Sequence, residues 1–347
     1  MNREELYREI SKLAPYMRGG DDYRDVLLET LKQYIDAVGK LNKAERPEGD
    51  WDERKQTIRK ICEKIKDIGR NSYKGLPSTA FIQLCNLLDK SLKDSVQWCH
   101  IPKDADLWRM RQIDNRRIGI MYSEMFHVPI SMRRKINTQR YSTPGYPCLY
   151  LGTSIYVCWE EKSRPAMSGC WTSRLKTKNE LKLLDMRRPT LESFTNNLEQ
   201  YLYFYPLIIS CMIPVRDNTD VFKPEYLIPQ MITEWLIKRS ELGVIYTTTH
   251  LNADFEYSYD KYDNIAIPIK SPLDNKATVC KELSKMFDIT DPANLEIEKL
   301  REPFANYGGE YSKPVKDKRQ ENYELSDFGN LEKRLCDENY YRLKGLN

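Results

Sequence analysis

The sequence has few histidines and no cysteine spacing typical of a metal site. It contains three well-separated histidines and nine cysteines with no Cys-x-x-Cys pair, so neither a zinc site nor a disulfide framework is indicated. We therefore expect no bound metal, and we interpret the cysteines as reduced and mostly buried. Because Ser-His and Cys-His catalysis need a histidine base, a catalyst here would have to use carboxylate, guanidinium and hydroxyl groups.

Long apolar runs and an export signal are also missing. No run reaches the roughly 18 residues that a bilayer-spanning helix needs. The longest, YLYFYPLIISCMIPV at 201–215, is interrupted by two prolines and predicts a buried strand. The charged start, MNREELYREISKL, lacks the apolar segment of a secretory signal. We expect a cytoplasmic protein with no membrane partner.

Neither a strong charge nor a familiar catalytic motif is present. The 55 basic and 51 acidic residues nearly cancel, which is unlike a dedicated nucleic-acid-binding protein. The motifs G-x-x-x-x-G-K-[ST], G-x-G-x-x-G, G-x-S-x-G and H-E-x-x-H do not occur. One basic cluster is more typical of a solvated surface than of a nucleic-acid track; it comprises Arg116, Arg117, Arg133, Arg134 and Lys135.

The first hundred residues have helical patterns and no grouping suited to catalysis. Apolar residues recur at the spacing of one helix face within 53–69, where Gly69 is the expected helix end, and again within 21–41. A third helix should follow GLPST, with Ser78 or Thr79 as its N-cap. The apolar positions are Ile58, Ile61, Cys62, Ile65, Ile68, Leu27, Leu31, Tyr34, Ile35, Val38, Phe81, Leu84, Cys85 and Leu88. We interpret residues 1–100 as an all-helical domain for docking or homo-oligomerisation.

From about residue 101 short strand-like runs alternate with helical segments. The runs are LWRMR, CLYLG, LKLLDM, LIISCMIPV, GVIYTTT and NIAIPI, and YLIPQMITEWLIKRSE is typical of a helix. This mixture predicts an α/β or α+β domain, which we place at residues 101–272. Residues 273–347 are more polar, with helical patterns at ATVCKELSKMF and LEKRLCDENYYRL, and form a partly helical C-terminal extension.

Residues 140–161, RYSTPGYPCLYLGTSIYVCWEE, open with an arginine, turn at Pro144-Gly145, and end on two glutamates. Such a unit is common in proteins without activity. This one nevertheless resembles the signature of the RES domain, through the pattern R-Y-S-x-x-G-Y-P-x-L-Y-L-G-T-S followed by a glutamate. Six further segments resemble other landmarks of that family in the same order; they are LWRMR, EMFHVP, LKLLDM, EYLIPQMITEWL, GVIYTTT and NIAIPI. Together they cover roughly residues 105 to 270.

The resemblance implies an α+β fold with a mixed, ADP-ribosyltransferase-like β-sheet. It also implies an NAD+-degrading toxin or antiphage defence effector, with an Xre-type antitoxin or another defence-system protein as its partner. The family's arginine, tyrosine and glutamate fall on Arg140, Tyr150 and Glu161 rather than Glu160. Its serine has no equivalent in IYTTT, where Thr248 is the best match and keeps the hydroxyl. Arg109, in the opening strand, is a second candidate for phosphate binding.

These residue types suit cleavage of the nicotinamide–ribose bond of NAD+, by water or by phosphate. The leaving group is already cationic, so one carboxylate, Glu161, should suffice to stabilise the oxocarbenium-like transition state. Arg140 would bind the diphosphate through paired hydrogen bonds, Tyr150 would offer a ring face, and Thr248 would orient the substrate.

Other hypotheses stay open: a protein ADP-ribosyltransferase that uses the same pocket, and a non-catalytic interaction or nucleic-acid-binding module that uses the basic cluster. Two local expectations can be compared with the structure. Because side chains alternate along a strand, Tyr246 should share the face of Thr248, whereas Thr247 and Thr249 should face away. His127, in EMFHVPIS, is expected to be a packed loop residue rather than a base.

Overall fold

The computed structural model describes residues 1–13, 22–113, 120–249, 262–270, 279–294, 323, 326–336 and 340–342. It confirms the predicted α+β class, because helices form the first part of the chain and a mixed β-sheet with further helices follows. Within these ranges no helix is long and apolar enough to cross a membrane. All nine cysteines are free thiols, and five of them are buried.

Four α-helices form the N-terminal part. They are α1 (Arg3–Ser11), α2 (Tyr23–Gly39), α3 (Trp51–Tyr73) and α4 (Pro77–Asn86). Asp50 begins α3 by accepting hydrogen bonds from the N–H groups of Asp52 and Glu53, which otherwise lack partners in a first turn. The five predicted apolar positions of α3 are all buried.

Two predicted helix boundaries in this region are wrong. Helix α3 does not end at Gly69 but continues to Tyr73. The glycine is needed instead for close packing against α2, since a Cβ there would be 2.7 Å from Cδ2 of Leu27. Neither Ser78 nor Thr79 is the N-cap of α4. That helix begins at Pro77, whose missing N–H needs no partner in the first turn.

The described residues contain a ten-stranded sheet with the order β1-β5-β6-β7-β3-β2-β4-β8-β10, and β9 also pairs with β4. The strands are β1 (Trp98–Ile101), β2 (Asp106–Gln112), β3 (Cys148–Gly152), β4 (Cys170–Thr177), β5 (Leu181–Met186), β6 (Val244–Thr247), β7 (Asp263–Pro268), β8 (Phe287–Thr290), β9 (Ala293–Asn294) and β10 (Tyr340–Arg342). The β5–β6 pair is parallel and the other pairs are antiparallel. Strands β2, β3, β6 and β7 meet at the centre and position the candidate site.

Six further α-helices connect or cover the strands in the described part. They are α5 (Ile155–Glu160), α6 (Leu191–Asn196), α7 (Leu198–Cys211), α8 (Leu227–Lys238), α9 (Lys281–Ser284) and α10 (Asp327–Leu335). Helix α8 confirms the helix predicted at YLIPQMITEWLIKRSE. Within the described residues, the helix predicted at ATVCKELSKMF is only four residues long.

The prediction of a buried strand at 201–215 is wrong, because most of the segment lies in α7. Eleven of its fourteen residues are buried, so the helix is apolar on nearly all sides and shows no 3.6-residue period. Pro206 lies inside it and cannot donate to the carbonyl of Leu202. The hydroxyl of Tyr34, from α2, donates to that carbonyl instead at 3.0 Å. Tertiary packing thus supplies the missing hydrogen bond.

The N-terminal helices share one hydrophobic core with α7, α8 and one face of the sheet. A second cluster covers the opposite face, and a third surrounds α5 and α10. The described residues of the C-terminal extension add α9, α10 and the strands β8, β9 and β10. The division at residues 100 and 272 stays a prediction.

Candidate functional site

A cavity of about 330 Å³ opens at the centre of the sheet, beside the end of α5. Four of the residues singled out from the sequence line it: Arg109 from β2, Arg140, Tyr150 from β3, and Glu161. Thr248 contacts Glu161 directly. The chain therefore brings together residues that lie up to 139 positions apart in the sequence.

Glu161 is the C-cap that directly follows α5, and its N–H donates to the carbonyl of Val157 at 3.0 Å. Its side chain turns to the cavity, where two neutral donors converge on one carboxylate oxygen. The Thr248 hydroxyl donates to Oε1 at 2.5 Å, and Nδ2 of Asn264 donates to the same oxygen at 2.8 Å. These bonds fix the orientation of the carboxylate without neutralising its charge.

Glu160 points away from the cavity, as helical spacing predicts for adjacent residues. It is 3% exposed and forms an ion pair with Arg164 at 2.8 Å. The same ion pair holds the turn after α5, because both Nε and Nη2 of Arg164 contact this carboxylate. Glu160 is therefore a structural residue, and Glu161 is the carboxylate that faces the cavity.

The residues at the end of β6 and just after it divide between the two sides of the sheet. Tyr246 lines the cavity, as expected, and the Thr247 hydroxyl faces away and donates to Oδ1 of Asp263 at 3.1 Å. The expectation for Thr249 is wrong: it lines the cavity, and its hydroxyl accepts a hydrogen bond from Arg140 at 3.1 Å. Strand β6 ends at Thr247, so the alternation does not extend to Thr249.

Arg140 is 8% exposed and is held firmly by the protein itself. Its Nη1 donates to the carbonyls of Cys211 and Ile213 at 2.9 and 3.0 Å, at the end of α7 where carbonyls lack helical partners. The guanidinium lies 5.1 Å from the ring centre of Tyr226, within cation–π range. Arg140 thus joins α7 to the cavity wall.

Arg109 is a buried cavity cation that is only partly hydrogen-bonded within the described residues. Its Nη1 donates to the carbonyl of Tyr150 at 2.6 Å, and its buried Nε has no hydrogen-bond partner among the described residues. Burial, and then the nearby charge of Arg111, lower the pKa of Arg109 to about 9, so the group stays mostly charged at neutral pH. The exposed Lys162 lines the cavity nearby. A buried, incompletely bonded guanidinium favours an anionic ligand.

Tyrosine rings form much of the cavity wall. The hydroxyl of Tyr150 donates to Oγ of Ser142 at 3.0 Å, which fixes the ring, and burial raises the pKa of Tyr150 well above its usual value. Tyr226 and Tyr246 complete the wall. The described lining therefore combines aromatic surfaces, cations and the Glu161 carboxylate.

His127 confirms the expectation of a packed loop residue. It is 1% exposed, and its Nε2 accepts a hydrogen bond from the N–H of Cys280 at 2.7 Å. Burial lowers the pKa of His127 to about 4, so the ring is neutral at physiological pH. Within the described ranges no group of His, Cys, Asp and Glu side chains could hold a metal ion.

Comparison with known proteins gives one informative relative. No model of a protein family matches the chain, and no solved structure matches it significantly. A protein of Bacillus subtilis (strain 168) named "Putative toxin YopC" is 30% identical over 304 residues, which cover 80% of this chain and 67% of YopC. The chain belongs to the YopC family.

Three residues that complete the site of this YopC family member were not identified as site residues from the sequence: Asn264, Tyr226 and Thr249. Asn264 has a usable signal, because it is an amide within the apolar strand DNIAIPI, where an unpaired polar group would be costly.

Tyr226 and Gln230 form the Tyr-x-x-x-Gln pattern of α8. The Gln230 amide donates to the carbonyls of Gln139 and Ser142 at 2.9 and 3.2 Å, on either side of Arg140.

The basic cluster is only partly described. Arg116 and Arg117 lie outside the described residues, whereas Arg133, Arg134 and Lys135 are exposed on a 3₁₀ helix, Ile130–Lys135. Arg133 donates to the carbonyl of Gly145 at 3.0 Å. The described part of the cluster is a solvated surface beside the turn that follows Arg140.

Proposed function

We propose that this chain is a toxin that acts by consuming NAD+, cleaving the bond between nicotinamide and ribose. The toxin role is supported by membership of the YopC family, since YopC carries that description. The NAD+ reaction is supported by the resemblance to the RES domain and by the chemistry of the cavity. Its volume, about 330 Å³, falls at the lower end of the roughly 300–1,000 Å³ usual for small-molecule sites.

The observation that carries the proposal is the fixed carboxylate of Glu161. When the ribose–nicotinamide bond breaks, its electron pair goes to the ring nitrogen, which becomes neutral, and positive charge develops on the ribose. A carboxylate held by Thr248 and Asn264 can stabilise that charge without rearranging during the reaction. Water or phosphate then bonds to the ribose carbon; with water, a proton is released to solvent.

The cations and rings of the cavity suit the rest of the substrate. Arg109 has a buried Nε without a partner in the described part of the chain, so we assign the diphosphate first to Arg109, with Lys162 beside it. Arg140 would contribute through Nη2, since its Nη1 already bonds to two carbonyls. Tyr150 and Tyr246 offer faces for the nicotinamide or the ribose.

A toxin of this kind requires an inhibitor in its own cell, so the proposal includes an antitoxin, of the Xre type if the RES resemblance holds. Because the substrate must enter the cavity lined by Arg140 and Glu161, we expect the inhibitor to cover the opening of this cavity. Co-expression of the toxin with this antitoxin should then both restore growth and prevent the loss of NAD+.

The test is incubation of the purified full chain with NAD+ labelled in its adenylate half. Free ADP-ribose, or its phosphate ester when phosphate is present, supports the proposal, and label attached to protein indicates an ADP-ribosyltransferase instead. Glu161→Gln should slow consumption about 100-fold or more, whereas Glu160→Gln, at the adjacent carboxylate, should leave it intact. Unchanged NAD+ with folded wild-type protein would refute the reaction.

A further inference from the structure

The helix that carries Glu161 is too short to fix its own position. Helix α5 has six residues, Ile155–Glu160, and isolated helices shorter than roughly 12 residues are marginal in water. Its start is capped locally by Ser154, whose hydroxyl accepts from the N–H of Val157 at 3.1 Å. Contacts from other parts of the chain must set its orientation.

One such contact comes from the far C-terminal part of the chain. Oε1 of Glu332, in α10, accepts a hydrogen bond from the N–H of Ile155 at 2.6 Å and another from the Tyr323 hydroxyl at 2.7 Å. Glu332 is 6% exposed and lies 177 positions from Ile155. A buried carboxylate therefore satisfies the first N–H of α5, a group that has no partner inside the helix.

Packing joins the two helices along the rest of their length. The ring of Phe328, in α10, lies 5.4 Å from that of Tyr156 and 5.6 Å from that of Trp159, centre to centre. These distances are typical of favourable aromatic pairs. Helix α10 thus contacts both the first and the last turn of α5.

Helix α10 is itself anchored to the sheet. Arg174, on β4, donates to the carbonyl of Cys336 at 2.6 Å, just after α10 ends. The same guanidinium forms two hydrogen bonds with Asp106 of β2, at 2.7 and 2.5 Å. The position of α10 is therefore tied to the strand that also carries Arg109.

We propose that α10 is a positioning element of the site and that Glu332 is its key residue. Glu332 contacts α5 at the opposite end from Glu161, and a helix of this length transmits a shift at one end to the other because it is about 9 Å long and rigid. Loss of the Glu332 contact would move the Glu161 carboxylate relative to Thr248 and Asn264. The structural part of this proposal is independent of the reaction; its kinetic part rests on the proposed function.

The experiment compares Glu332→Ala and Glu332→Gln with Lys333→Ala, a neighbouring exposed position. Hydrogen exchange of the amides at 154–161 is measured in the full chain, together with kcat and KM for NAD+. We expect exchange at 154–161 about tenfold faster or more in Glu332→Ala, with α3 and β4 unchanged, since a hydrogen bond to a charged group is lost. We expect kcat to fall by about tenfold with KM unchanged, and a smaller effect in Glu332→Gln.

Each outcome decides the matter. Faster exchange throughout the chain would mean that Glu332 only stabilises the fold, and faster exchange in α5 with wild-type kcat would mean that the site does not depend on it; both overturn the proposal. If Glu332→Ala does not fold, the Glu332→Gln variant gives the same comparison. If the wild type leaves NAD+ intact, the proposed function fails, and local exchange in α5 alone decides whether Glu332 positions this helix.

Discussion

Thr248 offers the sharpest test of the site, because its hydroxyl donates to Glu161 at a short distance. Thr248→Val keeps the shape of a side chain that is 1% exposed and removes the hydroxyl that donates to Oε1 of Glu161 at 2.5 Å. A hydrogen bond to a charged group contributes about 1.5–3 kcal/mol. Since about 1.4 kcal/mol corresponds to a factor of ten in rate, kcat should fall by roughly 10- to 150-fold.

The assay is NAD+ consumption at saturating substrate, with thermal unfolding measured on the same samples. Thr248→Ser is the matched control: it keeps the hydroxyl, restores the residue of the resembled family and frees χ1, so most activity should remain. Asn264→Ala removes the other donor to Oε1. Because the two donors share one oxygen, the double variant should lose more activity than the product of the single losses.

Two results would refute this reasoning. Wild-type kcat in a folded Thr248→Val variant would mean that the hydroxyl does not hold the carboxylate in the working enzyme. Equal losses in Thr248→Ser and Thr248→Val would mean that the packing of the threonine methyl, rather than its hydroxyl, matters at this position.

Three further predictions follow from the charged and titratable groups. Glu161→Gln should lower kcat by about 100-fold or more, whereas Glu160→Gln should keep kcat and lower the melting temperature, since it weakens the ion pair of a buried carboxylate with the partly exposed Arg164; the reverse sensitivity would move the catalytic role to Glu160. Arg140→Lys loses the planar fork that bonds two carbonyls, so both a raised KM and a lower melting temperature are expected, and an unchanged KM would exclude substrate contact. Burial lowers the pKa of His127 from 6.5 to about 4, so the unfolded chain binds the proton first as the pH falls. The contribution of His127 to stability is therefore fully present above pH 6.5 and is lost as the pH falls to 4. The difference in unfolding free energy between wild type and His127→Gln should shrink by about 3 kcal/mol over that range in denaturant titrations.

The sequence alone predicted the elements whose physical signals are local. The apolar spacing of α3 identified its buried face because a helix with one buried side repeats every 3.6 residues. The strands around Tyr150 and Ile265 were recognisable because apolar runs bounded by turns are typical of buried strands. Adjacent side chains of a helix point in different directions, so Glu160 and Glu161 were expected to differ in role; the choice of Glu161 came from the tyrosine-to-glutamate spacing of the resembled family.

Contacts between distant segments were decided only by the tertiary structure. Helix α7 has no readable period because it is buried on nearly all sides, and its internal Pro206 is tolerated because the Tyr34 hydroxyl reaches the carbonyl that the proline leaves without a donor. Gly69 is a site of close helix packing rather than a helix end. Neither fact is encoded within the segment concerned.

The same division applies to the candidate site. Arg140, Tyr150 and Glu161 were singled out because the short stretch at 140–161 resembles the signature of the RES domain. Asn264 carried a local signal, as an amide within an apolar strand, but its pairing with Glu161 could not be predicted. Neither could the contacts of Thr249 and Glu332, since each of these three residues acts on a residue about 100 or more positions away, and such pairings depend on strand order and on where a strand ends. Sequence determined which groups were available for chemistry; the sheet order and the packing of α10 determined which of them meet, because hydrogen bonds form between neighbours in space.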